Sequence, residues 1–135
     1  MNTSAIALTL FIAWTLLLLI LMEVVRSWLV VTQRMRANAF TPDNANLSPF
    51  MQRLARAHAN CLEGLPVFGG LLLVAIVTGR HEVTDPLALW LVAARVAQST
   101  VHVASLSVVA VNVRFTFFAA QIAIAVAWTW MLLAR

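Results

Sequence analysis

The chain has no lysine, no tyrosine and one cysteine among its 135 residues, and only 10% of them are charged. Each scarcity excludes something. A soluble domain of this length carries about a quarter charged residues. With 62% hydrophobic residues, the chain needs a second solvent, and the bilayer supplies it. One cysteine, Cys61, rules out an internal disulfide; inside a predicted helix it reads plainly as a small buried apolar residue. The net charge of +4 comes from arginine alone. With no basic stripe on a soluble face, it is not a nucleic-acid footprint. Pro/Gly/Ser-rich linkers, repeats and low-complexity tracts are missing, so residues 1–135 read as a single domain. The run from Ala5 to Val25 lacks a positive flank in Met1 to Ser4 and is too long for a signal peptide, so it is expected to be a retained first span.

What is present is apolar sequence in span-length runs. Four helices are expected, at about 4–32, 49–78, 86–106 and 111–134. Pro49 suits a first helical turn, and Gly79 suits a stop after the second span. The fold class is therefore an all-α, four-helix integral membrane bundle. Arginine near the span ends sets the expected orientation. Arg34, Arg36, Arg53 and Arg56 border the first loop, and Arg114 follows the turn between the last two spans. That places the first loop and the helix 3–4 turn in the cytoplasm and both termini opposite, with Arg135 as a mild contradiction. Trp128 and Trp130 fit an interfacial belt.

Polar residues inside these helices are costly, and they usually face a bundle interior or a cavity. Arg53, Arg56, Asn60 and Glu63 are spaced three, four and three apart, which aligns them on one face of the second helix. Arg95, Gln98, Ser99 and His102 form a second stripe on the third helix, and Asn112 and Arg114 open the fourth. Glu23 and Arg26 lie three apart on the first, with Arg34 and Arg36 at its end. A surplus of guanidiniums over carboxylates suits a small anion with more than one carboxylate, because arginine forks onto carboxylates. A buried Glu can receive a ligand ammonium. A thiol held among arginines shifts toward its thiolate, the nucleophilic form. The plain alternative is that these groups pair across helices to hold the bundle together. His58, off the main stripe, reads most simply as a structural or headgroup contact, and Glu23 with Arg26 as a structural pair. No metal ligand set is assigned.

The run Arg56-Ala-His-Ala-Asn60-Cys-Leu-Glu63-Gly-Leu-Pro66-Val-Phe68 resembles the second-helix signature of the MAPEG family, membrane-associated proteins in eicosanoid and glutathione metabolism. Arg34-x-Arg36 before Ala39-Phe40 is similar to the family's basic end of helix 1, Ala94-Arg95-Val96 to its helix 3 motif, and Arg114 to its arginine near the reactive thiol. The resemblance covers nearly the whole chain. It implies a homotrimer, in a bacterial branch of the family and in an inner membrane. Glutathione would bind as co-substrate between subunits near the cytoplasmic face, with a lipophilic second substrate arriving from the bilayer. It further implies that Arg34, Arg53, Arg56, Asn60, Glu63 and Arg95 hold glutathione, with Gln98 and His102 beside them, and that Arg114 stabilises the thiolate. The activity implied is that of a glutathione-dependent transferase or peroxidase. The chain departs from the family at His102, where a Tyr is common, at Gln98, where a His is common, and in a longer stretch from Arg95 to Arg114. A non-catalytic lipid- or partner-binding relative is the alternative. A small exporter of cationic drugs is a third reading; it rests on Glu23 alone and conflicts with the arginine-rich pocket.

Overall fold

The computed structural model describes residues 1–134; Arg135, invoked for orientation, lies outside them. Four segments are long and apolar enough to cross a membrane. They are built from five helices: α1 (Thr3–Thr32), α2 (Pro49–Gly64), α3 (Gly70–Val77), α4 (Asp85–Ala104) and α5 (Val108–Leu133). The described residues contain no strand. In hydrocarbon each backbone group must be satisfied within the chain, which makes helices the natural spanning form here.

Local sequence sets most of the helix ends. Asn2, Ser48 and Ser107 each accept a backbone N–H from the first turn of α1, α2 and α5, the usual way of satisfying amides that have no helical partner. Pro86 occupies the first turn of α4, where its missing N–H costs nothing. The second span stops at Gly79, whose φ of +69° suits glycine. Arg34 ends α1 with φ +51°, a left-handed turn reached without glycine.

The second span differs from the expected unbroken helix. A π-helical turn, Leu65–Gly69, separates α2 from α3. Pro66 is the physical reason, because it has no N–H to complete the regular ladder and its ring crowds the preceding turn. A wide turn absorbs both. The turn between the last two spans is also shorter than expected, since α5 begins at Val108, directly after its Ser107 cap.

α4 is the centre of the bundle, packed against α1, α2 and α5, while α1 also contacts α2 and α3. At one end Ser4 donates its N–H to Asp85 Oδ1 at 2.7 Å, and His81 Nδ1 lies 2.8 Å from Asp85 Oδ2. Arg80 there donates to the carbonyls of Met131 and Leu132 at the end of α5. At the other end Arg26 binds the first loop through Asn44 Oδ1 and the Thr41 carbonyl. In that loop the Thr41 hydroxyl and the Ala45 N–H hold the Asp43 carboxyl below the ordinary aspartate range. Both described termini therefore share one end of the bundle, and the first loop shares the other with the α4–α5 turn.

Two apolar clusters fill the interior. Phe11, Phe68, Leu72, Leu91 and Trp128 pack toward the terminal end; Leu18, Met22, Met51, Leu54 and Cys61 pack toward the loop end. Between them lies a layer of buried polar side chains, and it organises the site.

Candidate functional site

Arg95 is the middle of the polar layer. It is 1% exposed, which is costly for a cation inside a membrane segment. Its surroundings explain how it is held. Nη1 donates to Asn60 Oδ1 on α2. The guanidinium lies over the rings of Phe11 and Phe68, at 5.5 and 5.3 Å, in the geometry of cation–π attraction. Gly64 makes room for it, since a Cβ there would come within 2.8 Å of Nη2. Nε and Nη2 have no acceptor.

The same stripe of α4 carries the rest of the layer. Ser99 donates to the Arg95 carbonyl at 2.9 Å, and its Oγ lies 3.1 Å from Cys61 Sγ. With the Ser99 hydroxyl directed to that carbonyl, the Cys61 thiol is the donor in the second contact. Gln98 accepts from Gln121 Nε2 at 2.9 Å, joining α4 to α5. One turn on, His102 is buried, and the guanidiniums of Arg56 and Arg114 both lie close enough to act on it electrostatically. Arg114 is half-buried, and its Nε is without an acceptor.

The outer face of α2 is different. Arg56 and Glu63 are exposed, and neither forms an ion pair among the described residues. Among the described residues the ion pairs are Arg26–Glu23 and His81–Asp85. Asn60 and Glu63 sit on the wall of a groove of about 560 Å³ between the second span and α5. Beyond those two residues, Gly64 and Thr129, whose hydroxyl donates back to the Ala125 carbonyl at 2.8 Å, the groove is apolar, formed by Val67, Phe68, Phe118, Ile122 and Trp130 among others. It combines an acid and an amide on one wall with hydrocarbon-like walls elsewhere.

The expected site residues therefore separate. Asn60 and Glu63 line the groove. Arg56 follows the same face of α2 toward the loop end, where it is exposed. Arg95 and Gln98 are interior residues; Arg95 acts on the groove wall through Asn60. Arg53 lies elsewhere, donating Nε to the Val103 carbonyl at 2.8 Å and lining a second groove. Arg34 is exposed at the end of α1 and lines neither groove. Glu23, the basis of the exporter reading, is exposed and paired with Arg26 at 3.0 Å; it is not a buried acid. Among the described residues no cluster of His, Cys, Asp and Glu is suited to a metal.

Two participants were not singled out from the sequence. Gln121 was legible as a lone amide in the apolar run of α5, the same signal that marked Gln98. Phe11 gave no signal, because a phenylalanine among leucines looks like any core residue until a cation is found over it.

The model of the MAPEG family matches residues 5–134. No curated protein and no solved structure matches the chain.

Proposed function

The chain belongs to the MAPEG family, and from that premise we propose that it is a glutathione-dependent transferase or peroxidase acting on lipophilic electrophiles. The observation that carries this reading is the unpaired polar face of α2. Arg56 and Glu63 are exposed on a membrane-spanning helix and have no ion-pair partner among the described residues. Charges do not face lipid without compensation, so a ligand, a second copy or both must meet them. Glutathione carries two carboxylates and one ammonium. The arginines suit the carboxylates, and Glu63 suits the ammonium.

In this reading Arg56, Asn60 and Glu63 bind glutathione directly, and Arg95 is a positioning residue that fixes the Asn60 amide. Arg114, with Nε lacking an acceptor, stabilises the thiolate, and the His102 imidazole hydrogen-bonds the sulfur. The apolar groove next to Asn60 and Glu63 receives the electrophile laterally from the bilayer. A homotrimer covers the charged face of α2, with Arg34 reaching the site from a neighbouring copy. The first loop and the α4–α5 turn face the cytoplasm, in a bacterial inner membrane.

The test is a glutathione titration of the detergent-purified protein, followed by thermal stability. A ligand that binds only the folded state raises stability as its concentration rises. The wild type is expected to show this shift and Arg56→Ala to lack it. No shift in folded wild type would refute the reading. A shift with no thiol conjugation or peroxide reduction across a panel of electrophiles would favour the non-catalytic lipid-binding alternative.

A further inference from the structure

The second groove lies on a different part of the surface and uses none of the residues that the proposed function assigns to glutathione; Arg53, which the resemblance placed at that site, lines this groove instead. It is formed where α1, α2 and α4 meet near the loop end, with a volume of about 430 Å³, inside the range of roughly 300–1,000 Å³ typical of ligand sites. Its walls are apolar, with Trp14 and Leu17 on α1, Phe50 and Leu54 on α2, and Val103 on α4. The Thr100 hydroxyl does not make it polar, because that hydroxyl donates back to the Val96 carbonyl at 2.8 Å. Leu17, Leu21 and Phe50 are 53%, 41% and 40% exposed, so the groove opens on the surface that faces hydrocarbon.

Among the described residues Arg53 is the one charged residue lining it. Nε is committed to the Val103 carbonyl, at the last turn of α4, 2.8 Å away. That bond fixes the guanidinium at the groove and leaves the two terminal nitrogens of the fork toward other acceptors. No acid pairs with Arg53 among the described residues. Arg34 and Arg36 lie at the same end of the bundle, so the local surplus of charge is positive. A guanidinium with a free fork matches the oxygens of a phosphate. An apolar trough beneath it matches an acyl chain, and a positive surface at headgroup depth favours a lipid with net negative charge.

We infer that this groove is a binding site for an anionic phospholipid, with the phosphate on Arg53 and one acyl chain lying between α1 and α4. The site ties three helices together at the end of the bundle where the first loop leaves. It requires no glutathione chemistry.

The experiment is native mass spectrometry of the intact assembly released from detergent, with added phosphatidylglycerol or phosphatidylcholine of matched chains. Wild type is expected to retain phosphatidylglycerol in preference to phosphatidylcholine. Arg53→Gln is expected to weaken phosphatidylglycerol retention about tenfold, the size of one lost charge-assisted contact, and to abolish the preference. Thr100→Trp, at an exposed position of α4, fills the trough and is expected to reduce retention of both lipids while the assembly and its glutathione response persist. Equal retention of the two lipids by wild type would overturn the inference. So would an unchanged preference in Arg53→Gln, or a change of subunit number in either variant, since that would mean a second copy covers the groove.

Discussion

The contact between Arg95 and Asn60 makes a prediction that separates a buried charge from its partner. In Asn60→Ala the guanidinium loses the one side chain that accepts from it, while Nε and Nη2 already have no acceptor. The ring faces of Phe11 and Phe68 remain, but they do not replace a hydrogen bond. Loss of a hydrogen bond to a charged group costs about 1.5–3 kcal/mol, so Asn60→Ala should destabilise the ligand-free protein by about 2 kcal/mol. Arg95→Met is expected to do less harm, roughly 1 kcal/mol or under, because it removes the charge together with its burial cost and fills similar volume. The Asn60 amide it leaves behind is half-exposed on the groove wall, where water can reach it. Once Arg95 is gone, Asn60→Ala should cost little more. The double variant should therefore resemble Arg95→Met, with a coupling of about 1.5–2.5 kcal/mol between the two positions. Unfolding free energies in bicelles, measured without glutathione, provide the cycle. Additivity to within about 0.5 kcal/mol, or an Arg95→Met variant less stable than Asn60→Ala, would refute the reasoning.

The Gln98–Gln121 pair makes a similar prediction with neutral groups. Gln121 is fully buried and donates to Gln98 Oε1 at 2.9 Å, so Gln121→Leu leaves that oxygen without its donor and should cost about 1–3 kcal/mol; adding Gln98→Leu should restore most of the loss, as read by thermal unfolding. On the proposed function, Arg114→Ala should lower thiol-conjugation turnover on the order of a hundredfold, the effect of removing one group that stabilises a reacting anion. The glutathione-dependent thermal shift should persist in that variant, and unchanged turnover would remove Arg114 from the proposed chemistry.

Much of the architecture was legible in the sequence. Span-length apolar runs, a proline in the first turn at Pro49 and a stop at Gly79 depend on composition and on residues within a turn of each other. Such short-range physics can be read along the chain. The π-turn at Pro66 was not legible, and the second span was expected as one unbroken helix, because whether a proline kinks, ends or widens a helix depends on what packs beside it. The stripes on the second and third spans were also visible, since helical period alone aligns Arg56 with Asn60 and Glu63, and Arg95 with Ser99 and His102.

What the stripes face was not legible. Spacing makes Arg53 and Arg56 equivalent members of one row, yet Arg53 turns to the Val103 carbonyl and a second groove, while Arg56 stays exposed on the outer face of α2. Likewise Arg95 and Glu63 both read as ligand-facing charges; the fold buries one under Gly64 between two phenylalanines and exposes the other at the groove. By itself the sequence determined that four apolar helices cross a membrane and that arginine, amide and acid recur along their inner stripes. That follows from hydrophobicity and from the 3.6-residue period, both of them local. The tertiary structure alone decided which of those groups share a pocket. A helix row spans more than one interface, and the rotation and height at which α4 meets α2 and α5 depend on contacts far apart in the chain.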